Sequence, residues 1–334
     1  MTRRRRRWRG VLVICGIVVL ALAGTAVAGV YVLSERLAGN VERIPSVFTP
    51  LDPDQRPPRP PEPSLTFLLA GSDSRSDEPT TGAGAARYVP GAQRSDTMML
   101  VRLDPSRTRA SVVSFPRDSW VPVPGHGLAK INAAFSYGGP TLMVRTVEAL
   151  TGIRIDHFAA IDFAGFRTMV DAVGGIDVVV ERATSHGDVR FDAGTNHLDG
   201  RQALLYVRQR HGLPRGDLDR VRRQQNALRA WLTKASSLSD PLSVNRTLDA
   251  LTTSVSVDDT LDNGALRSLA VRLRQLSSVT FLTAPVAGLG REGAQSVVYL
   301  DHARCARLWQ AVGADDVDAY ARENAGDVLG GSPR

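Results

Sequence analysis

Three short polar clusters each adjoin an apolar run, and each combines acids with arginines. Gly71-Ser72-Asp73-Ser74-Arg75 follows Leu65–Ala70, Arg94-Ser95-Asp96-Thr97 opens Thr97–Leu103, and Ser114-Phe115-Pro116-Arg117-Asp118 closes Arg109–Phe115. Carboxylates such as Asp73 and Asp96 can share a hard cation like Mg²⁺, which takes one or two carboxylates and completes its shell with phosphate oxygens. Arginines beside them can grip the phosphates bidentately. Taken singly, each cluster is also what a turn or a surface ion pair looks like. Together they suggest phosphate chemistry.

Two further signals point the same way. Lys130, at the head of Lys130-Ile131-Asn132-Ala133-Ala134-Phe135, is one of only two lysines among 41 basic residues, so an ammonium is a selective choice there. After Asp217 the helical period places Leu228, Trp231 and Leu232 on one inward face, and Asp217, Arg220 and Gln224 extend that face toward the N-terminus. A core-facing stripe that turns charged at one end should line a site, because unpaired buried charge is costly. A capped helix end with an internal Asp–Arg pair is the plainer alternative.

The elements that must position these residues alternate between strands and helices. Leu65–Ala70, Thr97–Leu103, Arg109–Phe115, Phe158–Ile161 and Ile176–Val180 have strand character. Pro140–Leu150, Phe163–Val173, Val221–Leu238 and Asp301–Val312 follow the helical period. The pattern predicts a three-layer α/β/α domain around a central mixed sheet, with polar clusters at strand ends, where ligands gather in such folds. Residues 76–93 show no period and form a long loop.

The net charge of +7 resides in a tail. Six arginines lie within Met1–Arg9, no acid precedes Glu35, and the remaining 35 basic and 34 acidic residues nearly cancel. A near-neutral domain lacks the basic stripe that nucleic-acid binding needs. Val11–Leu33 is a run of 23 uncharged residues, roughly 34 Å long as a helix and enough to span the ~30 Å hydrocarbon layer. Arginines on its N-terminal side keep that end cytoplasmic, so the rest is exported. Ala26-Val27-Ala28 resembles a signal-peptide cleavage site, but the apolar run is longer than a usual signal core, which favours an uncleaved single-pass anchor. The expected organisation is a basic tail (1–10), a transmembrane anchor (11–33), a proline-rich linker (34–64), a catalytic domain (65–325) and a flexible tail (326–334). The two cysteines cannot form a disulfide framework. His157, on an apolar strand, is expected to be a satisfied core residue.

In combination these residues resemble the LytR-CpsA-Psr family of cell-wall glycopolymer phosphotransferases. To the three clusters the resemblance adds Lys130–Gly139, His157–Phe166, Gly174–Val178 and Leu198-Asp199-Gly200. It continues through Tyr206-Val207-Arg208-Gln209-Arg210, Gly216-Asp217-Leu218 and Arg223-Gln224-Gln225, covering about residues 65–238 in order. The resemblance implies an apolar pocket for a polyprenyl chain and Mg²⁺, or Mn²⁺ in its place, held by Asp73 and Asp96. It implies that Arg117, Arg208 and Arg210 grip a pyrophosphate, with Arg75, Arg94, Lys130, Arg220 and Gln224 around it. The implied reaction moves a glycopolymer phosphate from a polyprenyl-pyrophosphate carrier to a peptidoglycan hydroxyl and releases polyprenyl phosphate, with pyrophosphatase activity on the side. Asp217 or a metal carboxylate is available as the base. A non-catalytic lipid- or glycan-binding protein is the second reading, which two carboxylates beside a phosphate disfavour. A transcriptional regulator, the third, is on the wrong side of the membrane. If Arg208 and Arg210 grip one pyrophosphate from one side, Tyr206–Arg210 must be extended.

Overall fold

A computed structural model of the protein describes residues 35–36, 39–59, 64–74, 81, 93–106, 108–273 and 275–330; the side chains of 73, 74, 93, 94 and 270–272 also lie outside the description. The anchor, Arg75 and nearly all of the 76–93 loop fall outside it. Among the described residues no helix is long and apolar enough to cross a membrane.

Fifteen strands are described: β1 (Glu42–Ile44), β2 (Leu65–Ser74), β3 (Gln93–Leu103), β4 (Arg109–Ser114), β5 (Trp120–Val123), β6 (Gly127–Lys130), β7 (His157–Asp162), β8 (Ile176–Val180), β9 (Thr184–His186), β10 (Val189–Phe191), β11 (Gly194–Leu198), β12 (Val255–Asp258), β13 (Ser278–Thr283), β14 (Val286–Glu292) and β15 (Gln295–Leu300). The helices are α1 (Ile131–Thr151), α2 (Phe163–Ala172), α3 (Gly200–Arg208), α4 (Asp217–Ser236), α5 (Pro241–Ser254), α6 (Asn263–Leu273), α7 (His302–Gly313) and α8 (Val317–Glu323). Seven strands form the central sheet in the order β1-β12-β7-β2-β3-β4-β13. It is mixed: β2–β7 and β4–β13 pair parallel, while β2–β3 and β3–β4 pair antiparallel. A mixed α/β fold around a central mixed sheet is as expected.

The two faces of this sheet differ. On one, Leu68, Leu100, Val113 and Phe158 are essentially inaccessible beneath α1 and α7. On the other, Met99, Val112 and Phe281 are buried and Leu69, Val101, Ala159 and Val279 half-buried, under Leu228 and Leu232 of α4 and Leu266 and Leu269 of α6. Outside α4 a second core joins α2, α3, β8, β10 and β11 around Val170, Ile176, Phe191 and Tyr206.

Four expectations are corrected. The 34–64 linker is not a free spacer: β1 pairs with β12, Val47 and Leu51 are buried in the main core, and Arg56 donates to Glu148 at 2.7 Å and to the Ile155 carbonyl at 2.5 Å. Proline fixes extended chain, and extended chain can pack as readily as protrude. Much of the 326–334 tail is docked, with the Leu329 amide donating to the Phe281 carbonyl at 3.0 Å and Val328 bridging Leu282. The helix over Pro140–Leu150 begins earlier, at Ile131, and is bent at Gly138 and Gly139. Gly139, at φ +62°, adopts a conformation natural only to glycine, and Pro140 restarts the helix where a missing N–H costs nothing. Tyr206–Arg208 is helical, not extended, because α3 opens on a reciprocal capping box between Asp199 and Gln202 and buries Ala203, Tyr206 and Val207.

A charged cluster at the strand ends

β2 and β3 continue through their polar clusters as a ladder, with Asp73 paired to Arg94. The register slips between Gly71, opposite Thr97, and Ser72, opposite Ser95, so Asp96 is the extra residue of a bulge. A bulge re-aims its side chain. Gly71 permits the close approach, since a Cβ there would lie 2.8 Å from that of Thr97. Asp96 accepts a hydrogen bond from Arg117 Nη1 at 2.5 Å.

Arg117 sits on the turn leaving β4. Ser119, fully buried, donates to the Pro116 carbonyl at 2.7 Å, and the Asn132 amide donates to the Arg117 carbonyl at 3.2 Å. The same turn carries Asp118, which meets Lys130 Nζ at 3.0 Å and Arg117 Nε at 3.8 Å. Lys130 ends β6 and is the residue before α1, so hairpin β5–β6 folds it back onto the turn. Asp118 is a site residue that its motif alone does not single out; the turn signals Gly125 and Gly127, which fold Lys130 back onto it, are the available hint.

From the other side comes α4. Asp217, its first residue, lies 3.7 Å from Arg117 Nε and 2.6 Å from Arg220 Nη2. The 2.6 Å contact lacks hydrogen-bond geometry. Both Asp217 oxygens, Arg220 Nε and Nη2 and Arg117 Nε are buried with no hydrogen-bond partner among the described residues. Burial pushes the Asp217 carboxyl above the usual range, outweighing attraction to Arg220 and Arg117. Burial likewise lowers Arg220 despite Asp217. Burial thus works against the charge of both partners. Arg117 differs: burial opposes its charge, but Asp96, Asp118 and Asp217 together prevail and raise it.

The expected residues converge unevenly. Asp96, Arg117, Lys130, Asp217 and Arg220 form one connected network, and Arg210 acts electrostatically on both Asp217 and Arg220. Arg208 lies over the Phe163 ring at 4.5 Å. Both Arg208 and Arg210 are exposed around buried Gln209, whose extended backbone (φ −62°, ψ 130°) begins only at the helix end. Gln224 is half-buried; the neighbouring Gln225, inaccessible, docks α4 by donating to Ser114 Oγ at 3.0 Å and the Leu282 carbonyl at 2.6 Å. Asp73 and Arg94 are placed by backbone register alone, and Arg75 lies outside the described residues. His157 is satisfied as expected, 3.1 Å from Asp258.

For a cation, the described residues include no cluster of three His, Cys, Asp or Glu. An ion that takes most of its shell from phosphate needs no such cage. In the β2–β3 ladder Asp73 pairs with Arg94, and Asp96 is the bulge residue two positions further along β3.

The sequence model of the LytR_cpsA_psr family matches residues 53–313. The chain belongs to this family. Among relatives of this LytR_cpsA_psr protein, the probable cell wall biosynthesis protein LcpB of Corynebacterium glutamicum is 36% identical over 252 residues, 74% of this chain and 60% of LcpB. The polyisoprenyl-teichoic acid–peptidoglycan teichoic acid transferase TagU of Oceanobacillus iheyensis is 32% identical over 281 residues, 80% of this chain and 81% of TagU. The solved structure of TagT bound to LI-WTA superposes with a TM-score of 0.60 at 26% identity, over 79% of this chain and 92% of that one.

Proposed function

We propose that this LytR_cpsA_psr protein is a membrane-anchored, extracytoplasmic phosphotransferase that moves a glycopolymer phosphate from a polyprenyl-pyrophosphate carrier to a peptidoglycan hydroxyl. One observation carries the reading: α4 bears buried, hydrogen-bond-deficient Asp217 and Arg220 at its start and, two turns on, Leu228 and Leu232 over the apolar sheet face. A single helix thus joins a place for anionic phosphate to a place for an apolar chain. The N-terminal segment supports delivery from a bilayer. Arg36 lies 3.9 Å from Asp249 of α5, and Glu35 pairs with Arg267 of α6, which covers the same apolar face.

The chemistry follows from the charges. The acceptor oxygen attacks the sugar-bearing phosphorus, the bond to the lipid phosphate oxygen breaks, and polyprenyl phosphate leaves with the electron pair. Positioning and charge neutralisation dominate such transfers. Arg117 and Arg220 are preorganised donors in a site shielded from water, where they act most strongly. Exposed Arg210 adds positive charge at the rim of a network whose Asp96, Asp118 and Asp217 already balance Arg117, Lys130 and Arg220. Asp217, with its raised affinity for protons and its place between two arginines, suits the proton of the incoming hydroxyl. Asp73 and Asp96 are the residues that would hold Mg²⁺ or Mn²⁺, which when bound adds positive charge at the phosphate oxygens.

The test supplies full-length protein in nanodiscs with a polyprenyl-pyrophosphate oligosaccharide and a soluble glycan acceptor, and detects the phosphodiester by mass spectrometry. Wild type should form it. Arg117→Lys should lose about 2–4 kcal/mol of transition-state stabilisation, because one ammonium cannot replace a fork shared among three carboxylates. Donor binding with no turnover under any metal condition would instead establish a non-catalytic lipid-binding protein.

A further inference from the structure

A second surface begins where the charged cluster ends. In the β5–β6 hairpin Trp120 pairs with Lys130, Val121 with Ala129 and Pro122 with Leu128. Alternation sends Val121, Val123 and Ala129 into the main core. The opposite face presents Trp120, Pro122 and Leu128, the last 59% exposed. At the hairpin turn His126 stacks on Tyr137, with centroids 4.7 Å apart and planes at 23°; both rings are exposed. The hairpin part of the strip runs roughly 10 Å, three residues of strand. It starts at Lys130, whose ammonium holds Asp118 beside Arg117.

Single exposed apolar residues are unremarkable, but a row leading out of a charged site marks a binding surface. Two facts on either side of the cluster identify its occupant. The apolar sheet face suited to the lipid lies under α4 and α6, whereas the hairpin packs on the core of the opposite face, with α1. In-line phosphoryl transfer places attacking and leaving oxygens on opposite sides of phosphorus. The lipid phosphate departs toward α4, so the attacking molecule arrives from the hairpin.

We propose that the Trp120–Leu128 strip and the His126–Tyr137 stack form the acceptor subsite, a platform for sugar rings of the glycan whose hydroxyl attacks. The inference rests on the phosphotransferase reading and adds the place and chemistry of its second substrate. Pyranose rings carry an apolar C–H face with hydroxyls around the edge. Aromatic and aliphatic side chains on a rigid hairpin meet that face at little entropic cost, while the hydroxyls stay in water. The hairpin is held by its own ladder, by glycines at φ +80° and +68°, and by the His126 amide donating to the Val123 carbonyl at 2.9 Å.

The experiment uses full-length protein in nanodiscs, a soluble peptidoglycan oligosaccharide, and the variants Leu128→Ser, His126→Ala with Tyr137→Ala, and Tyr137→Phe. All change exposed side chains. Leu128→Ser and the double variant should raise the acceptor KM on the order of tenfold, the value of a lost stacking contact, with kcat and donor affinity unchanged. Tyr137→Phe, which keeps the ring, should stay near wild type. Saturation-transfer NMR from protein to glycan C–H protons, without donor, should show contact that the double variant loses. An unchanged acceptor KM in both disruptive variants overturns the proposal. So does the absence of any glycan contact in the wild-type NMR experiment, whatever the donor does. Loss of donor binding or turnover by wild type while glycan contact persists would strike the phosphotransferase reading and leave the platform standing.

Discussion

Arg220→Met separates a charge kept for stability from one kept for function. The Arg220 side chain is 3% exposed and sits 2.6 Å from Asp217 without forming a hydrogen bond. A structural ion pair of this burial, broken on one side, costs about 3–5 kcal/mol, because the remaining charge is stranded. Here two features reduce that figure. Asp217 keeps Arg117 at 3.7 Å and the influence of Arg210, so it is not stranded. Burial opposes the charge of both Asp217 and Arg220, so removing the guanidinium also relieves a desolvation cost that offsets part of the attraction lost. A similar-sized apolar side chain should therefore change folding stability by no more than about 2 kcal/mol, in either direction. At about 2–4 °C per kcal/mol for a domain approaching this size, Tm should move by less than about 8 °C. The transfer rate should nonetheless fall about 10²–10³-fold, the loss of one preorganised donor. Thermal unfolding and turnover of the folded fraction, measured on one preparation, decide the matter. A stability loss above roughly 3 kcal/mol with near-normal turnover would refute the reasoning and make Arg220 a structural residue.

Three other outcomes are expected. Asp73→Ala and Asp96→Ala should each abolish transfer while the far-UV spectrum and melting behaviour persist; full wild-type activity in excess chelator would exclude the cation. Asp258→Ala should cost about 3–5 kcal/mol at neutral pH, since the fully buried carboxylate serves His157, Thr260 and the Phe158 amide. Burial raises the Asp258 pKa, but the bonds from His157, Thr260 and Phe158 outweigh it and hold the pKa below the usual range. A depressed carboxylate adds stability above its unfolded pKa and loses it as pH falls through the folded one. The wild-type advantage over the variant should therefore shrink below about pH 4, and an advantage constant from pH 7 to 3 in denaturant titrations would be contrary. Burial, reinforced by Asp301 and Asp327, pushes the Cys305 thiol up to about 12, so iodoacetamide should label it only on unfolding; rapid labelling of native protein at pH 8 would show the site to be open.

What the sequence disclosed depended on how local each signal was. The stripe on α4 could be read because one helical period carries it: Asp217 and Arg220 lead directly to Leu228 and Leu232, while Trp231 turns instead to the second core and donates to the Met169 carbonyl at 2.9 Å. The choice between Gln224 and Gln225 could not, since both lie on the wide arc that α4 buries between the sheet and the second core. Tyr206–Arg208 differs from the extended expectation for another reason. The Asp199–Gln202 capping box is a local helix signal, whereas a shared grip on pyrophosphate is a constraint that only a bound ligand would impose. Local helix energetics prevailed, and the strand-like alternation was postponed to Gln209. Val47 and Leu51 were likewise present in the proline-rich segment, apolar residues that a free spacer has no use for.

The network itself is the part no local signal could show. Asp96, Arg117 and Asp217 meet from positions about 20 and 100 apart in the chain. The first gap closes because β3 and β4 are antiparallel neighbours, which brings the start of one beside the end of the other. The second closes because Gln225 ties α4 to the ends of β4 and β13 through Ser114, Leu282 and Thr283. Gln225 is thus a positioning residue. Its three hydrogen bonds fix α4 against the end of β4, the strand that Arg117 follows. The geometry of the cluster is carried by a buried amide two turns away, which is why neither the motif containing it nor the motif containing Arg117 could disclose the site alone.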